Sequence, residues 1–473
     1  MDEQNAFFSM MLHRFFEKFD HVTYHKVPIC KYAYYQFISF LVSRWSLDWA
    51  KQNLPYWQDE INRLNRSRIY DWADEPYPYD PHPGGIVLMR GGFGDLALQY
   101  MAADHFFLLS PNQAEVDLIK LNRPDLTAHS IEQYYRENPT AVKTLIGQII
   151  PVIQDQKDDP ILGSPDLQRW FLSKTAEFVR ILDAAQSLFE KMEVGAVLTI
   201  SSIYWMDSAL NLIARANRIP SFTLQHGLIL DRDLVAHIPL LATKKLVWGR
   251  ASSEWYQRHG YPESRVCTIG SPRFDMIFNQ KWRDKKELCQ LAGIDPAQKI
   301  IVYATRPTGF MENIPALVIN GLKTIPDLFL LILLHPGEAS SVAEYRQLAA
   351  DYPHCKVVQF GHISLYDALS GADLFITYDS TAALEAMLFK LPVITVEPSS
   401  ACFSYGNLGA SIRVTDSTEL NQVVRKLLVD ETFRTHAVAC YQDFLSAYCI
   451  PDGSASQRLF ATMEQLRQTG GIA

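Results

Sequence analysis

The sequence predicts an α/β protein of two Rossmann-like, doubly wound domains with a facing cleft, preceded by an N-terminal helical extension. Three observations lead there: from residue 86 short apolar runs alternate with longer amphipathic stretches, the series occurs twice, and the lysine-rich QKWRDKKELCQLAGIDPAQ lies between the two. With 473 residues, 48% apolar and 20% charged, the chain is long enough for two or three buried cores, which excludes disordered, collagen-like and small disulfide-stapled proteins.

Residues 1–80 are crowded with aromatics at helix-compatible spacing, as in KYAYYQFISFLVSRWSLDWAKQNLPYW, and end in the loop-like YPYDPHPGG. An aromatic stripe with Lys31 and Arg44 suits a membrane surface, but docking against the following domain or a twin subunit is the favoured expectation. The first residues are acidic and lack a basic segment followed by an apolar run, so no signal peptide is expected. Lys31, Gln36 and Arg44 interrupt the longest apolar candidate, Cys30 to Trp45, which is too short and polar to cross a bilayer. Seven scattered cysteines without a C-x-x-C pair read as reduced thiols. The expected location is cytoplasmic, at most peripheral at the inner face of the cell membrane. Forty-four basic against 52 acidic residues provide no global field for nucleic acid.

The first α/β domain is expected over residues 81–290, with strands in GIVLMR, HFFLLS, GAVLTI, SFTLQ, KLVWG and RVCTIG and helices near 166–192 and 205–216. The second is expected over 291–450, with strands in KIIVYATRP, DLFLLILLHP, CKVVQFG, DLFITYDS and LPVITVEP. Residues 451–473 form a last helix, placed to brace the first domain.

Open α/β sheets bind ligands at the carboxyl ends of their strands, so residues just after strands are the candidates. In LILLHPGE, His335 follows a buried strand, Pro336 stops it, and the imidazole is placed to donate to a phosphate oxygen; turn capping is the plain alternative. In DLFITYDSTAALEAMLF, Asp379, Ser380 and Thr381 precede a helix, where hydroxyls and free N–H groups suit an anion. Glu385 comes four residues after Thr381, one too many for a capping box, and is expected to accept hydrogen bonds from sugar hydroxyls. Arg306 and Thr308 in YATRPTGF, and Gly270, Ser271 and Arg273 in TIGSPRFD, are expected at the same donor site, the arginines neutralising phosphate.

In the first domain, SFTLQHGLILDRD projects His226 from a strand end, with Gly227 permitting a sharp turn. Its imidazole suits removal of a proton from an acceptor hydroxyl, with Asp231 or Asp233 orienting it or serving instead; a satisfied core histidine is the alternative. GIVLMRGGFGDLALQ offers Gly91, Gly92 and Gly94 as an acceptor-facing loop and Asp95 as a reserve base. The same string mimics a dinucleotide-binding turn, but the second strand ends at Ser110-Pro111, before Glu115 or Asp117. There is no P-loop, nucleophile elbow or paired metal-ligand cluster.

With LQHG, VWG, GSPRFD, HPGE and YDSTAALEA in order across residues 224–387, the chain resembles GT-B-type transferases of bacterial surface-polysaccharide synthesis. The nearest kin are the CDP-glycerol glycerophosphotransferases, including teichoic acid polymerases and spore-coat polysaccharide proteins, and capsule transferases using CMP-activated acidic sugars. The resemblance implies a proposed base at His226 and a cytidine nucleotide held by His335, Ser380 and Thr381. The pattern Asp379-Ser380-Thr381 with Glu385 is closer to the capsule and sugar-transferring members. The implied partners are a CMP- or CDP-linked donor and a glycan or lipid-linked acceptor, with no metal and no resident cofactor. The mechanism expected is direct transfer with His226 and His335 facing one reacting centre. Two alternatives stand beside it: a UDP-N-acetylglucosamine 2-epimerase-like enzyme, and a non-catalytic assembly factor that docks or dimerises through the aromatic extension.

Overall fold

Runs such as IVLM, FFLL and LFLLIL have apolar side chains at consecutive positions, so each strand must be covered on both faces, and parallel sheets provide that arrangement. A computed structural model describes residues 2–307, 313–359, 361–398 and 405–472. Met1–Ile269 with Ser456–Ala473 form one compact unit and Gly270–Ala455 the other.

In the first unit β1 (Ile86–Arg90), β2 (Phe106–Ser110), β3 (Ala128–Ser130), β4 (Val194–Thr199), β5 (Ser221–Leu224), β6 (Lys244–Val247) and β7 (Val266–Thr268) make a seven-stranded sheet in the order β7-β6-β5-β4-β1-β2-β3. All its pairings are parallel. The strand order reverses at β1 and β4, the switch point of a doubly wound sheet. Alternate residues feed two cores. Leu88, Phe107 and Val197 face the helices Pro139–Asp155, Pro165–Lys191 and Trp205–Ala216, while Val87, Met89 and Leu198 face Leu459, Phe460 and Met463 of the last helix, Ala455–Thr469.

The first 80 residues are helical for the most part and belong to the first core. Helix Glu3–Phe19 starts at Asp2, whose carboxylate accepts the Asn5 N–H, and buries Phe7, Phe15 and Phe19. Phe15 stacks on Phe37 with ring centroids 4.1 Å apart, and Phe19 stacks on Phe171 at 5.3 Å. The aromatic side chains on this stretch are thus largely spent in packing against helix Pro165–Lys191. Among the described residues no helix is long and apolar enough to cross a membrane.

The second unit contains β8 (Lys299–Ala304), β9 (Leu328–Leu333), β10 (Cys355–Val358), β11 (Leu374–Thr377), β12 (Val393–Val396) and β13 (Ile412–Val414), in the order β10-β9-β8-β11-β12-β13. These pairings too are all parallel, and the order again reverses, between β8 and β11.

Phe15 is fully buried, so Phe15→Ala should cost about 3–5 kcal/mol in urea unfolding, while Val42→Ala, at a position 60% exposed, should stay within about 0.5 kcal/mol.

Candidate active site

The carboxyl ends of β8, β9 and β11 border a cavity of about 560 Å³ in the second unit, a size that suits a nucleotide. Arg273, Thr305, His335, Ser380 and Thr381 are among its lining residues. His335 leaves β9 with an exposed ring, and its Nδ1 accepts the Gly337 N–H at 3.0 Å. An acceptor Nδ1 puts the hydrogen of a neutral imidazole on Nε2, leaving that nitrogen as a donor. The backbone of this turn is held from beneath: the His335 N–H donates to Thr305 Oγ1 at 3.0 Å, and the Thr305 hydroxyl donates to buried Glu338 at 2.5 Å. Tyr345 donates to the other Glu338 oxygen at 2.8 Å.

Ser380 accepts the Ala382 N–H at 3.2 Å, where the helix Ala382–Leu388 begins, so that hydroxyl is shared with capping. Thr381 makes no such cap. Gly270 has φ of 84°, a left-handed turn before helix Pro272–Asn279, which carries Arg273.

Two expectations for the donor residues are altered. Glu385 is fully buried and is not among the cavity-lining residues; its carboxylate pairs with the Arg273 guanidinium. Helix geometry places it one turn from Thr381, but Ala382–Leu388 packs that face inward. Burial pushes its pKa up to about 7, against the pull of Arg273. Arg306 is not free for phosphate, since it pairs with Asp379 Oδ1 at 2.5 Å. Thr308 lies outside the described residues.

In the first unit His226 follows β5 and is exposed, and its Nδ1 lies 2.9 Å from the Ile200 carbonyl. A carbonyl only accepts, so Nδ1 carries the hydrogen and Nε2 keeps its lone pair. The turn is fixed by Gln225, which accepts the Trp248 N–H at 2.9 Å and donates to the Gly227 carbonyl at 2.8 Å. Desolvation by surrounding protein atoms, together with buried Lys245, pulls the pKa of His226 down to about 4 even though part of the ring meets solvent. His237 is buried nearby, and burial holds it neutral too.

The acidic candidates of this unit are occupied elsewhere. Asp231 accepts the Trp255 indole N–H at 2.7 Å; the Ile200 carbonyl, not a carboxylate, orients His226. Asp95 is exposed and pairs with Arg123 at 2.5 Å. Gly91 and Gly94 serve packing: a Cβ on Gly91 would lie 2.4 Å from Ser110 Oγ, and one on Gly94 2.8 Å from Leu126. Gly92 has open space around its Cβ position.

Sequence reasoning passed over Arg90, Asp207 and Lys245 of this unit. Arg90 at the end of β1 donates to buried Asp207 at 3.2 Å. Lys245 is only 4% exposed and its ammonium forms no ion pair or hydrogen bond with another described residue, and its pKa is drawn down to about 7 by burial. A lysine inside the apolar run KKLVWG was the available signal.

Two doubly wound parallel sheets, one with a nucleotide-sized cavity at its strand ends, define the GT-B-like class. Similar solved structures share it. The UDP-GlcNAc 2-epimerase of Neisseria meningitidis bound to UDP-GlcNAc has TM-score 0.52 and 12% identity over 80% of this chain and 99% of its own. An Anabaena protein in complex with UDP and glucose has TM-score 0.51 and 14% identity over 81% and 100%. A Rickettsia africae glycosyltransferase has TM-score 0.50 and 10% identity over 81% and 99%. Residues 249–465 match the model of the CDP-glycerol:poly(glycerophosphate) glycerophosphotransferase family, and the chain is a transferase. No curated protein sequence matches it.

The raised pKa of Glu385 gives a pH test. An acid whose pKa is higher folded than unfolded binds its proton more tightly in the fold, so stability is lost as pH rises from the ordinary 4.5 to about 7 and stays lost above. The expected cost at pH 8 is about 3 kcal/mol relative to pH 4. Glu385→Gln should remove most of that slope in urea unfolding, because Arg273 is half exposed and water can take up its charge.

Proposed function

We propose that the protein transfers a glycosyl or glycerophosphoryl group from a CMP- or CDP-linked donor to a hydroxyl of a glycan or lipid-linked acceptor, in bacterial capsule, teichoic acid or spore-coat synthesis. One observation carries the reading: every residue lining the cavity lies within the segment that matches the glycerophosphotransferase family. In this reading the cavity holds the nucleotide, and the His335 Nε2–H and the Thr381 hydroxyl donate to its phosphate oxygens. His226 Nε2 takes the acceptor proton as the acceptor oxygen bonds to the transferred group. The bond from that group to the nucleotide phosphate breaks, and CMP or CDP leaves. Charge on the departing phosphate is met by these side chains, without a metal. The low pKa of His226 keeps it unprotonated at neutral and mildly acidic pH, so its Nε2 lone pair stays available.

Calorimetry with CMP, CDP, UDP and NAD tests the nucleotide. Cytidine nucleotides should bind, and His335→Ala should weaken them about tenfold or more, the worth of a charge-assisted hydrogen bond. His226→Gln should leave that binding unchanged and slow transfer by about 10²–10⁴-fold. Preference for UDP would remove the cytidine assignment, and release of UDP with a 2-epimer from UDP-N-acetylglucosamine would replace transfer by epimerisation.

A further inference from the structure

Asp207 lies in the first turn of helix Trp205–Ala216 and is completely buried. Its Oδ2 accepts two backbone N–H groups, from Ile200 at 3.1 Å and Ser201 at 3.2 Å, and its Oδ1 accepts from Arg90 at 3.2 Å. The Ser201 N–H and the Ile200 carbonyl belong to one peptide group. That peptide is therefore held at both ends, its N–H by Asp207 and its C=O by the His226 Nδ1–H at 2.9 Å.

We propose that Asp207 is a positioning residue that fixes His226 as a base, acting through the Ile200–Ser201 peptide. The inference rests on the reading of His226 as the base. The peptide lies between the end of β4 and the next helix, outside any ladder, so its orientation depends on the groups that grip it. A carboxylate on the N–H polarises the peptide and strengthens its carbonyl as an acceptor. That carbonyl selects the tautomer with hydrogen on Nδ1 and aims the Nε2 lone pair away from the backbone. Arg90 holds the carboxylate in turn, and its guanidinium carbon lies 6.0 Å from the Tyr204 ring centroid, while Tyr204 lies 6.2 Å from the His226 ring. Asp207 also supplies the buried negative charge attracting Lys245.

The test is a tautomer measurement on the full chain. Nitrogen-15 spectra of the histidines in wild type, Asp207→Ala, the volume-filling Asp207→Leu and Asp207→Asn are compared, with His226→Gln identifying the His226 signals among the 13 histidines. Wild type should show His226 hydrogen on Nδ1. In Asp207→Ala and Asp207→Leu that preference should give way to a tautomer mixture, and Asp207→Asn, which keeps an oxygen for the two N–H groups, should retain it. With CDP-glycerol as probe, CMP release should fall about 10–100-fold in kcat for the Ala and Leu variants at unchanged donor KM, with partial rescue by Asn. Wild-type His226 hydrogen on Nε2, which needs no Asp207 variant to observe, or an unchanged Nδ1–H tautomer in a folded Ala or Leu variant, overturns the proposal. Retained turnover in His226→Gln overturns the base reading instead and leaves the tautomer result standing.

Discussion

Where a parallel strand ends, its peptide groups leave the ladder and must find new partners, because an unpaired peptide group away from water costs about 1–3 kcal/mol. Both units meet this requirement with buried polar side chains, and in both those side chains fix backbone beside a strand-end histidine. After β4 it is Asp207 that takes two N–H groups, and after β5 it is Gln225 that joins Trp248 to Gly227. After β9 it is Thr305, backed by Glu338. The side chains hold the backbone, and backbone groups in turn hold the rings: the Ile200 carbonyl for His226 and the Gly337 N–H for His335.

The two histidines are held in opposite tautomers. His226 faces a carbonyl and must donate from Nδ1, while His335 faces an N–H and must accept at Nδ1. One ring is left with a free lone pair and the other with a free N–H. A transfer that removes a proton from an acceptor and supports a phosphate leaving group needs one of each, and here the backbone partner of each ring sets the difference.

Most of the architecture was legible because parallel strands buried on both faces read as unbroken apolar runs, and the chain contains two sets of them. The strand-end histidines were legible for a related reason: a polar residue after such a run, followed by glycine or proline, has few places to point. The partners of those residues were not legible. Glu385 has the spacing of a ligand-binding acid, yet its helix turns it into the interior onto Arg273. Asp231 is near His226 in sequence but is held by Trp255. Asp207 is 19 residues before His226 and reaches it only through a peptide, a relation that no spacing rule encodes.

The aromatic extension follows from the sheet it covers. β1 and β4 are central strands, so both their faces need a helical layer, and Leu88 and Val197 on one face require as much cover as Met89 and Leu198 on the other. Helices Pro139–Asp155, Pro165–Lys191 and Trp205–Ala216 provide the layer on the first face, and Pro165–Lys191 carries Phe171 and Phe178 in the same core. Phe15, Phe19, Phe37 and Tyr32 complete that packing, with Tyr32 edge-on to Phe178 at 5.3 Å. An aromatic stripe suits either a bilayer or a second helical layer, and here Phe15, Phe19, Phe37 and Tyr32 are buried as a second layer over Phe171 and Phe178.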